Sequence, residues 1–301
     1  MTFKLTQRSY EEVLAKFEQA LSWTQSLGIS FPRSRITQYR KHMQDLIRAR
    51  ADSNIDALLE QGMFRSLVNS SHEVTQINAI YDGLQRYPVT PELVRRIRKA
   101  IRGPEFVEHE STADASHEGR DFAFELSIAS LFSRAGYDWD PSSTTDVFVT
   151  DAPIRFHIEC KRPTKNKAVR SAVNKGLKQL NTSLNNPGAI DTSYGLLAIA
   201  IDTIVVPKGK FLEAQTPDSI DRRVQEETEN FIRQHGIHWA VPRAKRIIGT
   251  LIVLRMPTVV KSLNILTSAG FIAVNPIVSK QDLSYSVLEM MRTKLLPVIS
   301  E

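Results

Sequence analysis

Glu159, Cys160 and Lys161 form the stretch of this chain best suited to chemistry. They close the apolar run Ile154-Arg155-Phe156-His157-Ile158, and Asp146 lies on a second short apolar run just upstream. Both runs predict strands, along which successive side chains point to opposite faces. Glu159 and Lys161 then share one face and Cys160 takes the other. Asp151-Ala152-Pro153 reads as a turn that folds the runs into a hairpin. Pairing residue 151 with 154 sets Asp146 opposite Glu159, so two carboxylates and an ammonium converge on one patch. Metal-assisted phosphodiester hydrolysis needs such a patch. Asp146, Glu159 and the backbone carbonyl of Cys160 supply hard oxygens for Mg²⁺ (or Mn²⁺). Lys161 supplies a point charge for a phosphate oxygen or the attacking water. Glu-x-Lys alone is also an ordinary cross-face ion pair, so the weight falls on the elements around it.

The first of these is the segment Arg120 to Phe132, which reads as a helix ending at Gly136. Phe122, Leu126, Ala129 and Phe132 make one apolar stripe at helical spacing, with Glu125 inside it, and Phe124, Ile128, Leu131 and Ala135 make another. The helix is therefore expected to be largely buried. A carboxylate there needs a cation, a donor or a metal. A structural ion pair with Arg134 or Arg120 accounts for Glu125 as well as a catalytic role does.

A helix carrying Glu, a strand carrying Asp and a strand carrying Glu-x-Lys, in that order, resemble the PD-(D/E)XK nuclease superfamily, the restriction-endonuclease-like fold. The resemblance covers roughly residues 115 to 205 and extends towards 277 if the later strands join the same sheet. It implies that Glu125, Asp146 and Glu159 are ligands of one or two Mg²⁺ ions and that Lys161 is the catalytic lysine. Thr145 precedes Asp146 where the family's name expects proline. Family members serve in restriction, phage defence, repair and recombination, and the resemblance alone points to a bacterial defence endonuclease.

Beyond the motif, no acidic residue occurs between Lys161 and Ile190, while Arg162, Lys165, Lys167, Arg170, Lys175 and Lys178 all do. A one-sided basic run beside a metal site suits the tracking of a phosphate backbone. Val173 to Leu180 reads as a helix packing beside the site, and Gln179 resembles the polar helix residue that several families of this fold place near the metal.

The remaining sequence supplies the frame. At 301 residues, 42% hydrophobic and 24% charged, the chain is expected to be a globular protein of one large or two ordinary domains. A net charge of +6 favours an anionic partner, and the nuclease resemblance implies that this partner is nucleic acid, most simply DNA. A single cysteine excludes intramolecular disulfides and fits a reducing compartment. Neither a membrane span nor a signal peptide is legible, so a cytoplasmic location with no membrane contact is expected.

Residues 1–105 read as an all-helical region, with helices over Tyr10 to Leu27, Ser34 to Ala51 and Met63 to Leu84. A further helix is capped by Thr90, has Pro91 at its first position and is stopped by Gly103-Pro104. Its Arg95, Arg96, Arg98, Lys99 and Arg102 read first as a solvated face, and alternatively as a second contact to a DNA backbone. This region would supply specificity, homodimerisation or contact with a partner protein.

Polar residues 104–117 read as a linker, and residues 106–301 as the nuclease-like domain. Strands are expected over Tyr194 to Val206, Ile247 to Met256 and Gly270 to Val274, with a closing helix over Gln281 to Leu296. The expected class is α/β: a mixed-sheet restriction-endonuclease-like core flanked by helices, preceded by the all-helical region. His235 and His238 have a metal-like spacing but no acidic or cysteine partner nearby, so they are not read as a zinc site. The competing function class is a catalytically inactive nucleic-acid-binding or assembly protein that keeps the fold. Retention of Glu125, Asp146, Glu159 and Lys161 together favours the nuclease.

Overall fold

The structure is a computed structural model that describes residues 9–31, 34–52, 63–105, 117–185, 191–206, 210–240, 246–263 and 265–299. The polar stretch read as a linker falls mostly on residues 106–116, outside the described ones. Helical periodicity in the first hundred residues produces α1 (Tyr10–Ser26), α2 (Arg35–Ala51), α3 (Phe64–Leu84) and α4 (Pro91–Ala100). A capping box of Ser9 and Glu12 starts α1. Thr90 Oγ1 accepts the Leu93 N–H at 3.2 Å to start α4, with Pro91 at its first position. Phe17, Leu21, Ile36, Tyr39, Met43 and Val74 pack where α1, α2 and α3 meet.

α5 (Glu118–Arg134) carries the predicted Glu125 and stops where Gly136 takes a φ of +86°, a conformation that favours glycine. There follow β1 (Asp138–Trp139), β2 (Val147–Asp151), β3 (Ile154–Lys161), α6 (Val169–Leu184), β4 (Ser193–Ala200), the single turn α7 (Asp202–Val205) and β5 (Leu212–Ala214). The chain continues with α8 (Pro217–His235), β6 (Ile247–Val260), β7 (Ile265–Pro276) and α9 (Leu283–Ile299). Seven strands form one mixed sheet in the order β1-β2-β3-β4-β6-β5, with β7 on the other edge of β6. The β3–β4, β4–β6 and β5–β6 pairs are parallel, and β1–β2, β2–β3 and β6–β7 are antiparallel.

Period-two alternation divides the core. On one face Phe156, Ile158, Leu196, Ala198 and Leu251 pack with α5 and α9. On the other, Leu197, Ile199, Ile252 and Leu254 pack with α6 and α8. The class is α/β, with an N-terminal helical region. That region does not stand apart from the sheet: one apolar cluster runs from Leu84, Leu93 and Ile97 through Phe124 and Phe132 to Val149 and Phe156. No helix among the described residues is long and apolar enough to cross a membrane.

Several expected elements have different bounds, among them the strand expected over Ile247 to Met256, which runs to Val260, and the helix expected over Val173 to Leu180, which spans Val169–Leu184. The strand expected to reach Val206 ends at Ala200, its last partner of β6, and the chain turns into α7, with Val206 N–H bonding to the Asp202 carbonyl. The strand expected over Gly270 to Val274 extends over Ile265–Pro276, because the longer β6 pairs with it along its length. Thr267 and Ser268 in that stretch hid the apolar pattern. The closing helix runs to Ile299 and tolerates Pro297 in its last turn.

Candidate active site

The β2–β3 hairpin has the predicted register, Asp151 opposite Ile154 and Val147 opposite Ile158. Continued by one residue, that register sets Asp146, at the mouth of β2, against Glu159. The Asp146 side chain turns into the ladder: its Oδ2 accepts the Cys160 N–H at 2.8 Å. Lys161 Nζ lies 3.1 Å from the same Asp146 oxygen, 2.9 Å from Glu159 Oε2 and 3.0 Å from the Cys160 carbonyl oxygen. These are the three groups that sequence reasoning named as oxygen donors. Glu159 is only 2% exposed, whereas the Asp146 side chain keeps 24% of its surface in solvent and forms the open side of the cluster.

Glu125 comes to the site by another route. It makes no hydrogen bond to Asp146, Glu159 or Lys161; its Oε2 takes a hydrogen bond from Arg96 Nη1 at 3.0 Å. The expected partners Arg134 and Arg120 are not the ones used, and Arg120 instead holds Glu73. Arg96 is also a correction to the reading of the α4 charges as a solvated face. Arg95, Arg98 and Arg102 are exposed, but Arg96 is 5% exposed and points inward. Its signal was present in the sequence, since Arg96 lies between Leu93 and Ala100 on the buried stripe of α4.

The electrostatics reflect an excess of acid. Burial, with Asp146 adding to it, pushes the Glu125 carboxyl up to about 8 despite Arg96 and Lys161. The ion-pair geometry and this shift pull in opposite directions. The direction is upward because Asp146 adds a like charge to a carboxyl already stripped of water. Glu159 is raised for the same reasons, burial first and Asp146 second. Lys161 is raised because the two carboxylates outweigh the burial that would lower it. Burial and the surrounding acids push the Cys160 thiol well above its ordinary range, so the thiol is not a nucleophile, and its carbonyl is the group that faces the cluster.

α6 covers the site. The Lys161 side chain crosses Gly176, where a Cβ would lie 3.3 Å from its Cγ and Cε and well inside contact of Leu197 Cδ1. One turn further along α6, Gln179 Oε1 is buried and accepts no hydrogen bond. Lys165, Lys167, Arg170, Lys175 and Lys178 are all exposed, and the first turn of α6 contains no acidic residue. Arg162 differs from the rest of the basic run: its side chain is buried, 3.8 Å from both Asp121 and Asp202.

His235 Nε2 lies 2.6 Å from Asn166 Oδ1, and its ring centre is 5.7 Å from that of His238. Among the described residues no group of three or more His, Cys, Asp and Glu side chains is arranged to hold a metal ion. The fit of the Asp146 site to a hard cation rests instead on two carboxylates and one carbonyl, which already surround one positive atom, Lys161 Nζ. That is a donor set of the kind Mg²⁺ takes, one or two carboxylates with the remaining positions left to water and substrate. Compared with known proteins, the chain matches no family model, no curated protein and no solved structure.

Proposed function

We propose that this protein is a divalent-metal-dependent nuclease of the PD-(D/E)XK type that hydrolyses phosphodiester bonds in DNA. One observation carries the reading: Asp146 Oδ2, Glu159 Oε2 and the Cys160 carbonyl converge on one cation, Lys161 Nζ, on a single hairpin. Asp146, Glu159 and the Cys160 carbonyl would hold Mg²⁺ or Mn²⁺. A bound ion of this kind lowers the pKa of water and offsets charge on the phosphoryl oxygens.

The chain's own residues do the rest. Asp146, on the open side, faces incoming substrate, and Lys161 has the reach to donate to a phosphate oxygen or orient the attacking water. Gln179 offers a free acceptor one turn from Gly176. The exposed Lys165, Lys167, Arg170, Lys175 and Lys178 give the phosphate backbone a track beside the site. Sheet order and the helices on both faces support a restriction-endonuclease-like core.

A second reading, a catalytically inactive nucleic-acid-binding protein of the same fold, draws on the pairing of Glu125 with Arg96 outside the oxygen trio. Cleavage of plasmid and single-stranded DNA with Mg²⁺ or Mn²⁺ separates the two. The nuclease reading expects metal-dependent cutting that falls by about 10²–10³-fold or more in Lys161→Ala, the scale of losing one preorganised charge-stabilising donor. Equal cutting by both proteins removes Lys161 from the mechanism. Salt-sensitive binding without cutting by either favours the second reading.

A further inference from the structure

Arg96 belongs to α4, in the helical region that precedes the sheet, yet all of its terminal donors point to the site. Nη1 donates to Glu125 Oε2 at 3.0 Å and to the Asp146 carbonyl at 2.7 Å; Nη2 donates to the Ser143 carbonyl at 3.3 Å and the Thr145 carbonyl at 3.4 Å. The guanidinium joins the α5 turn carrying Glu125 to the loop that delivers Asp146, two elements that share no other hydrogen bond at this point among the described residues. That loop precedes β2 and gains no ladder bond until Val147. Elsewhere it is held by the Thr145 N–H on Ser143 Oγ at 3.2 Å, by Thr145 Oγ1 against His157 Nδ1 at 3.1 Å, and at its end by the Cys160 N–H and Lys161 Nζ on Asp146 Oδ2 at 2.8 and 3.1 Å.

We propose that Arg96 is a positioning residue, which fixes the Ser143–Asp146 loop against Glu125 so that the Asp146 carboxylate meets Glu159 and Lys161. The effect on catalysis rests on the metal-dependent reading given above; the effect on the loop does not. A planar guanidinium has its donors in a fixed fork and can serve a carboxylate and three carbonyls at once. A lysine at this position would keep the charge beside Glu125 but could not span the loop. The helical region would in this way contribute directly to the geometry of the site.

Arg96→Lys is therefore the informative variant. Arg96→Met with Glu125→Gln is its companion, because the pair leaves no unpaired charge in the interior. Amide hydrogen exchange without added metal reads the loop directly. Both variants are expected to exchange the Asp146 and Val147 amides at least tenfold faster, with the α6 amides unchanged. Mn²⁺ affinity and the Mn²⁺ concentration giving half-maximal cleavage are expected to shift by about 10- to 100-fold, the usual cost of losing a group that orients a metal ligand. Wild-type exchange and Mn²⁺ dependence in Arg96→Lys would reduce Arg96 to a counter-charge for Glu125 and overturn the proposal. If the wild type neither binds Mn²⁺ nor cuts DNA, the metal reading falls while the exchange measurement still decides for or against Arg96.

Discussion

On the metal-dependent reading proposed above, Lys161 fills the position that a metal ion would need, and this makes the cation affinity of a lysine variant predictable. Its ammonium holds Asp146, Glu159 and the Cys160 carbonyl at 2.9–3.1 Å, and its side chain is 12% exposed. A hydrogen bond to a charged group is worth about 1.5–3 kcal/mol net of water, so two of them give roughly 3–6 kcal/mol that an entering cation must overcome. Lys161→Met removes that competitor and keeps most of the side-chain volume against Gly176. The gain is partly offset, since the buried Glu159 carboxylate without its ammonium holds a proton more firmly, and a metal must release it. A tightening of about 10- to 100-fold remains, equal to about 1.4–3 kcal/mol. Titration calorimetry with Mn²⁺, without nucleic acid and at fixed ionic strength, measures it, with Asp146→Asn as the variant expected to lose binding. The same Lys161→Met protein should bind the metal better and cut DNA worse. Unchanged or weaker Mn²⁺ binding in Lys161→Met would show that the ammonium and the metal do not share a site, and the reasoning would fail.

Other perturbations probe separate parts of the molecule. Burial alone would raise the Glu73 carboxyl, but Arg120 and Arg35 hold it down to about 2 against an ordinary 4.5. The stability it contributes is thus present above about pH 4.5 and lost as pH falls through 2, about 3 kcal/mol in all. Denaturation across this range should show a steep acid limb for wild type and a flatter one for Glu73→Gln, whose lower stability at pH 7 leaves two arginines buried without their anion; parallel limbs would refute the assignment. Neutralising Lys165, Lys167 and Arg170 together should lower the slope of log affinity against log salt by about 2 to 3 for DNA binding. An unchanged slope would take the basic run out of the interface. Gly176→Ala should destabilise the fold by about 1–3 kcal/mol through overpacking against Leu197 and Lys161, and a melting temperature equal to wild type would show that α6 can move aside freely.

The hairpin was legible because everything that sets it is local: two apolar runs, a turn between them and a period of two. Once Asp151 pairs with Ile154, the rest of the register follows, and the neighbourhood of Asp146, Glu159 and Lys161 with it. Thr90 and Pro91 fixed the start of α4 by equally local chemistry. Long-range partners were not legible. Arg96 meets an acid 29 positions away in the chain, and the α4 sequence alone presents it as one of several arginines on a charged helix. The rule that marked Glu125, a charge inside a buried stripe, applies equally to Arg96 between Leu93 and Ala100. Two opposite charges in the buried stripes of successive helices are a candidate pair. The overrun of β4 had another cause: Ile201, Ile204, Val205 and Val206 continue its apolar run, but only strand pairing, which stops at Ala200, decides where extended structure ends.

Two buried charge clusters lie along α5, and they respond in opposite ways. Around Glu73, two arginines face one carboxylate, and the acid is driven far below its ordinary range. In such a cluster the acid is fully answered by base, and the pairs tie α2, α3 and α5 together. Around Asp146, three carboxylates face one arginine and one lysine, and two of the acids, Glu125 and Glu159, are driven upward. An interior site with more acid than base costs stability at neutral pH unless it takes up a proton or a cation. Stability alone favours giving each buried acid its own base, as at Glu73. A site with one more acid than base, opening through Asp146 beside an exposed basic helix, takes up a proton as it stands, and on the metal-dependent reading proposed above a cation that joins with substrate would displace that proton.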